Sequence, residues 1–140
     1  SKNKKGWLFT LYYLIYIPFM TYADNLELRK KLSFAFGNRS FNNDAFDNKN
    51  IVLKIVTLRY KRAKLLGYKS HAHFVLEERM AETPEKVLEF LNELLEKVKP
   101  AAEKEFKNLE NFAKKLDDIG RLEKWDSVYY SEKLKQKLYK

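Results

Sequence analysis

Two arginines stand where the pattern of this chain calls for apolar side chains. On a helical wheel of about 100° per residue, Ile51, Val52, Ile55, Val56, Leu58, Ala63, Leu65 and Leu66 share one side. Lys54, Lys61 and Lys64 fall opposite, on the side left to water. Arg59 and Arg62 fall in the middle of the apolar side. A guanidinium cannot be buried without a partner. Arg59 and Arg62 are therefore expected to form structural buried ion pairs, bidentate where geometry allows. The competing chemistry is a site for a ligand anion, because charges set against the pattern often mark sites.

Other residues that could do chemistry are sparse. The two histidines lie together in Ser70-His71-Ala72-His73-Phe74-Val75-Leu76-Glu77-Glu78. His73 and Glu77 share a helical face, which makes a two-ligand metal site conceivable. A catalytic zinc needs a third protein ligand and usually the order H-E-x-x-H, and neither is present. There is no Cys to act as thiolate ligand, nucleophile or disulfide. No serine sits in a strained G-x-S-x-G turn, and the acid pairs Glu77-Glu78 and Asp117-Asp118 lie in charged, solvated surroundings. No catalytic, cofactor-binding or metal-binding residue is assigned in this chain.

The elements that hold these residues follow from composition and period. Trp7 to Tyr16, rich in aromatic and branched residues, reads as a short buried N-terminal strand. Pro18 suits the first turn of a helix. A helical stretch follows to about Phe36, with Leu28, Leu32, Ala35 and Phe36 on one face, and Gly37 and Asn38 end it. Residues 38–48 form an Asn- and Asp-rich loop. A helix spans about Asn48 to Leu66 and stops at Gly67, and Ser70 caps the next, which runs to about Met80. Thr83-Pro84-Glu85 opens a long helix to Leu116, about 50 Å if unbroken, which Pro100 should kink. A last helix covers about Ser127 to Tyr139. The expected fold class is mainly α: a multi-helical segment with a short N-terminal strand and one long kinked helix, without a linker that would divide residues 1–140.

The whole chain has 140 residues and a net charge of +9, and the excess is uneven. Residues 1–70 carry 14 Lys and Arg against 4 acids, and residues 71–140 carry 14 against 15. That asymmetry admits an alternative function, a stand-alone basic helical module binding nucleic acid or an acidic partner. No Gly-rich loop, aromatic RNA-binding signature or zinc-finger spacing accompanies it. Gly6 to Ala23 run 18 positions without charge and imitate a signal peptide. Four tyrosines, two threonines and Pro18 spoil the imitation, and the stretch falls short of the ~20 apolar residues a membrane helix needs.

Short motifs in a fixed order carry a resemblance across nearly the whole chain. They are Gly6-Trp7-Leu8-Phe9-Thr10-Leu11, Tyr16-Ile17-Pro18-Phe19-Met20, Tyr22-Ala23-Asp24-Asn25 and Leu28-Arg29-Lys30-Lys31-Leu32. Ala35-Phe36-Gly37-Asn38-Arg39, Asn48-Lys49-Asn50-Ile51-Val52, Leu58-Arg59 and Leu65-Leu66-Gly67-Tyr68 follow. Phe74-Val75-Leu76-Glu77-Glu78-Arg79-Met80-Ala81, Thr83-Pro84, Trp125-Asp126 and Tyr129-Tyr130-Ser131-Glu132 complete the set. The sequence resembles the peptidyl-dipeptidase branch of the thimet-oligopeptidase family of zinc metallopeptidases. Two departures are visible: Tyr12-Tyr13-Leu14-Ile15 replaces a polar, proline-containing stretch, and Leu26 stands where an Arg is usual.

The resemblance implies a parent enzyme that hydrolyses short peptides in a channel between two helical halves. Zinc in the parent is held by H-E-x-x-H and a downstream Glu, and no residue here matches that motif. Residues 1–140 then read as a single helical segment that lines the channel and is itself inactive. Its implied partners are peptide substrate and the remainder of the enzyme, with no nucleic acid and no membrane. Self-association through exposed apolar helix faces is expected, and the implied localisation is cytoplasmic.

Overall fold

A computed structural model describes residues 6–139. Six helices follow one another: α1 (Tyr13–Tyr22), α2 (Leu26–Gly37), α3 (Lys49–Leu65), α4 (His71–Leu76), α5 (Pro84–Asp117) and α6 (Ser127–Tyr139). No strand occurs among the described residues.

The expected N-terminal strand is therefore corrected. Residues 7–12 are irregular, and α1 begins at Tyr13. A strand needs a neighbour to complete its ladder, whereas a helix satisfies its own backbone. The aromatic residues that suggested a strand pack from a helix instead: Tyr16 stacks on Phe36 of α2 at 4.1 Å between ring centroids, and Phe9 meets Phe19 edge-on at 4.6 Å. Pro18 lies inside α1 and not in its first turn, so the carbonyl of Leu14 receives no bond from position 18.

The remaining helices start and stop where local chemistry directs. The Asn25 side chain accepts from the Leu28 N–H at 3.0 Å and opens α2. At the end of α3, Gly67 takes φ +84°. The Gly67 N–H bonds the Lys64 carbonyl at 3.1 Å and the Tyr68 N–H bonds the Ala63 carbonyl at 2.9 Å. This double closure is the Schellman motif, which satisfies carbonyls left over at a helix end. Ser70 caps α4, but α4 ends at Leu76 and not at Met80. The chain turns there, and Glu82 adopts φ +60° before Thr83 caps α5 by accepting from the Lys86 N–H at 3.2 Å. α5 holds 34 residues and runs through Pro100.

The chain forms two compact units, Ser1–Arg39 with Lys104–Lys140, and Ser40–Glu103. One boundary falls inside α5, so no linker marks it in the sequence. In the first unit α1 packs against α2 and α6. Its core gathers Ala113, Leu122, Tyr129 and Tyr130, with Leu109, Phe112 and Ile119 against them. In the second unit α3 packs against α4, and Ala63 is its buried apolar residue. The rest of the apolar side of α3 is open, with Ile51 56% and Leu58 54% exposed.

Candidate functional site

The densest polar constellation lies in the first unit, around the turn between α1 and α2. Arg29 in the first turns of α2 and Asp126 just before α6 are each 1% exposed. Arg29 Nη2 donates to Asp126 Oδ1 at 2.8 Å. Nη1 donates to the carbonyls of Ala23 at 2.7 Å and Asp24 at 3.1 Å. The guanidinium carbon stands 4.0 Å from the centre of the Tyr129 ring, a cation–π contact in a water-poor setting. Its Nε has no hydrogen-bond partner.

A second layer continues from this pair. The Tyr129 hydroxyl donates to Asp24 Oδ1 at 2.7 Å, and Lys133 Nζ reaches the same oxygen at 3.2 Å. These hydrogen bonds, the Tyr129 one foremost, hold the Asp24 carboxyl below its ordinary range. Burial and then the bond to Asp24 raise the Tyr129 phenol. The bond to Asp24 raises the Lys133 ammonium. Tyr130 donates to Asp117 Oδ2 at 3.0 Å, and burial with that carboxylate pushes its phenol well up.

Chemically this is a clamp. Asp126 is engaged by Arg29, and Asp24 by Tyr129 and Lys133. The clamp ties the α1–α2 turn to α6. Beside it lies an apolar groove of about 530 Å³, lined by Trp7, Phe9, Leu11, Phe19, Leu28, Lys31, Leu32 and Ala35. Among the described residues Lys31 is its one charged wall residue.

The residues singled out from sequence lie in the second unit. Arg59 and Arg62 are both exposed, and neither has a carboxylate partner among the described residues. The apolar side of α3 on which they stand is itself uncovered in this chain. The guanidinium of Arg62 instead lies 4.8 Å from the Phe74 ring centre of α4. His73 and Glu77 do not converge either. His73 Nδ1 is 2.8 Å from Ser70 Oγ, and its Nε2 is 3.5 Å from Glu85 Oε1. Glu77 accepts from the Tyr68 hydroxyl. Among the described residues no group of three or more His, Cys, Asp or Glu is placed to hold a metal ion. The donor set does not fit a resident zinc.

The Arg29–Asp126 pair was not among the residues sequence reasoning selected. A weak signal was present, since Arg29 stands beside Phe36 on the α2 wheel, at the edge of the apolar face.

Comparison with known proteins gives a consistent result. Residues 19–140 match Peptidase family M3. The chain is 41% identical to Oligopeptidase A of Salmonella typhimurium over 143 residues, covering 99% of this chain and 21% of that protein. It is 36% identical to a probable cytosolic oligopeptidase A of Arabidopsis thaliana, covering 95% of this chain and 19% of that protein. It is 27% identical to the dipeptidyl carboxypeptidase of Escherichia coli, covering 95% of this chain and 20% of that protein. The chain thus spans about a fifth of the length of the curated relatives it matches.

Proposed function

This chain belongs to Peptidase family M3, and from that premise we propose that it is a non-catalytic helical segment of a metallopeptidase that hydrolyses short peptides. The observation that carries the reading is the match over residues 19–140, at about a fifth of the relatives' length, joined to a donor set unfit for metal. In this reading the zinc centre belongs to polypeptide beyond these 140 residues, and the segment contributes wall to the substrate channel. The open side of α3 supports it. A 17-residue helix with one buried residue has little tertiary support of its own, so the remainder of the enzyme is the natural cover. Arg59 and Arg62 would then find their carboxylates in that remainder.

The greater identity to oligopeptidase A than to the dipeptidyl carboxypeptidase favours cleavage within oligopeptides over release of dipeptides. The absence of Cys and of any described helix long and apolar enough to cross a membrane is compatible with a cytoplasmic setting.

The test is complementation. Pure chain should leave a quenched fluorogenic peptide uncut. Added to an oligopeptidase A that lacks the matching segment, it should restore cleavage that a chelator abolishes. Chelator-sensitive cleavage by the chain alone, or no restoration by a folded chain, would overturn the proposal.

A further inference from the structure

Residues 7–11 alternate in the manner of a strand that has no neighbour. Trp7, Phe9 and Leu11 line the apolar groove of the first unit, and Leu8 and Thr10 between them do not. A period of two belongs to an extended chain and not to a helix. Trp, Phe and Thr are also among the residue types that strands favour. Yet among the described residues no backbone N–H or carbonyl of residues 7–11 enters a backbone hydrogen bond. The Thr10 hydroxyl is buried without a partner, while Trp7 is 94% and Leu8 86% exposed.

A free row of donors and acceptors beside apolar surface is what a sheet edge offers to another chain segment. The helices of this unit cannot fill the row, because a helix spends its backbone groups internally. Charge narrows the choice of occupant. Among the described residues the groove lining holds Lys31 and no acid. Residues 6–23 carry no charge, so a second copy pairing through its own residues 7–11 brings no carboxylate to Lys31. The chain spans about a fifth of the length of the relatives it matches, so most of such an enzyme lies outside it.

We propose that in the assembled peptidase an extended segment of the remainder pairs with residues 7–11, laying apolar side chains into the groove and a carboxylate against Lys31. This is addition of a strand to an open edge: backbone bonds supply the attraction, and the groove with its lysine supplies the selection. The proposal rests on the reading of this chain as a segment of a peptidase.

Amide hydrogen exchange, read residue by residue, tests it on the chain alone and on the chain bound to an oligopeptidase A that lacks the matching segment. In the free chain the N–H groups of residues 7–11 should exchange freely. In the complex every second one should slow by about tenfold or more, because alternate N–H groups of an edge strand point to the new neighbour. Lys31→Glu, first shown by circular dichroism to keep its helices, should bind about tenfold more weakly, and Lys31→Arg should bind as wild type. Restored cleavage with residues 7–11 still exchanging freely overturns this proposal and leaves the peptidase reading standing. Equal slowing at all five positions, as simple covering would give, overturns it too. So does concentration-dependent protection in the chain alone, as pairing of two copies would give. A folded chain that forms no complex overturns both readings.

Discussion

The Arg29 guanidinium and the Asp126 carboxylate, 97 positions apart in the chain, meet at 2.8 Å with almost no exposure to water. Removing one partner of such a pair leaves a charge buried without compensation. Asp126→Ala should cost about 3–5 kcal/mol of the first unit's stability. The double variant Arg29→Leu with Asp126→Leu should recover much of that loss, because it buries no charge. Urea unfolding of the single and double variants measures both.

Asp24 sets an acid limit. Its folded carboxyl lies below the ordinary value of 3.8 because Tyr129 and Lys133 bond its charged form. A depressed folded value means the contribution is fully present above 3.8 and is lost as pH falls through the folded value. The acid limb of a stability–pH profile should therefore flatten in Asp24→Asn. An unchanged acid limb would show that these bonds contribute nothing.

Tyr130 sets the opposite limit. Its folded phenol is raised from 10.0 by burial and by Asp117. A raised folded value means the contribution is fully present below pH 10 and is lost as pH rises from there toward the folded value. Tyr130→Phe should cost about 1 kcal/mol at neutral pH through the lost bond to Asp117. It should also shallow the alkaline loss, which denaturant titrations at several pH values would record.

Gly67 closes α3 in the left-handed region at φ +84°. An added Cβ would meet no atom within 4 Å, so the cost of Gly67→Ala is backbone strain alone. The expected loss is about 1–2 kcal/mol. Gly67→Asn, which tolerates this conformation better, should lose less. Denaturant midpoints of the two variants, compared at equal slope, check the order.

Where the sequence carried a complete local instruction, the structure follows it. Thr83-Pro84-Glu85 opens α5, Ser70 caps α4, and Gly67 closes α3. Where the outcome depended on distant partners, local reading fell short. Trp7 to Tyr16 has strand-like composition, but Phe36 and Phe19 receive those rings from a helix and an irregular segment. Arg59 and Arg62 break the pattern visibly, yet no cover in this chain makes their helix face an interior. Arg29 stands only at the edge of the α2 apolar face, and its partner is supplied 97 positions later. Nothing local to Arg29 names Asp126.

The first unit is assembled from both ends of the chain, with Ser40–Glu103 between them. On a ribosome, residues 6–39 emerge before their partners in residues 104–139. At ~5–20 residues per second, Ser40–Glu103 delays the arrival of residue 104 by about 3–13 s. Through that interval Arg29 stays hydrated and the rings of α1 and α2 stay open to chaperones. Docking of α6 on this pair of helices thus waits for residues 104–139. A protease cut between residues 40 and 103 would leave two peptides held together by the Asp126 and Asp24 contacts.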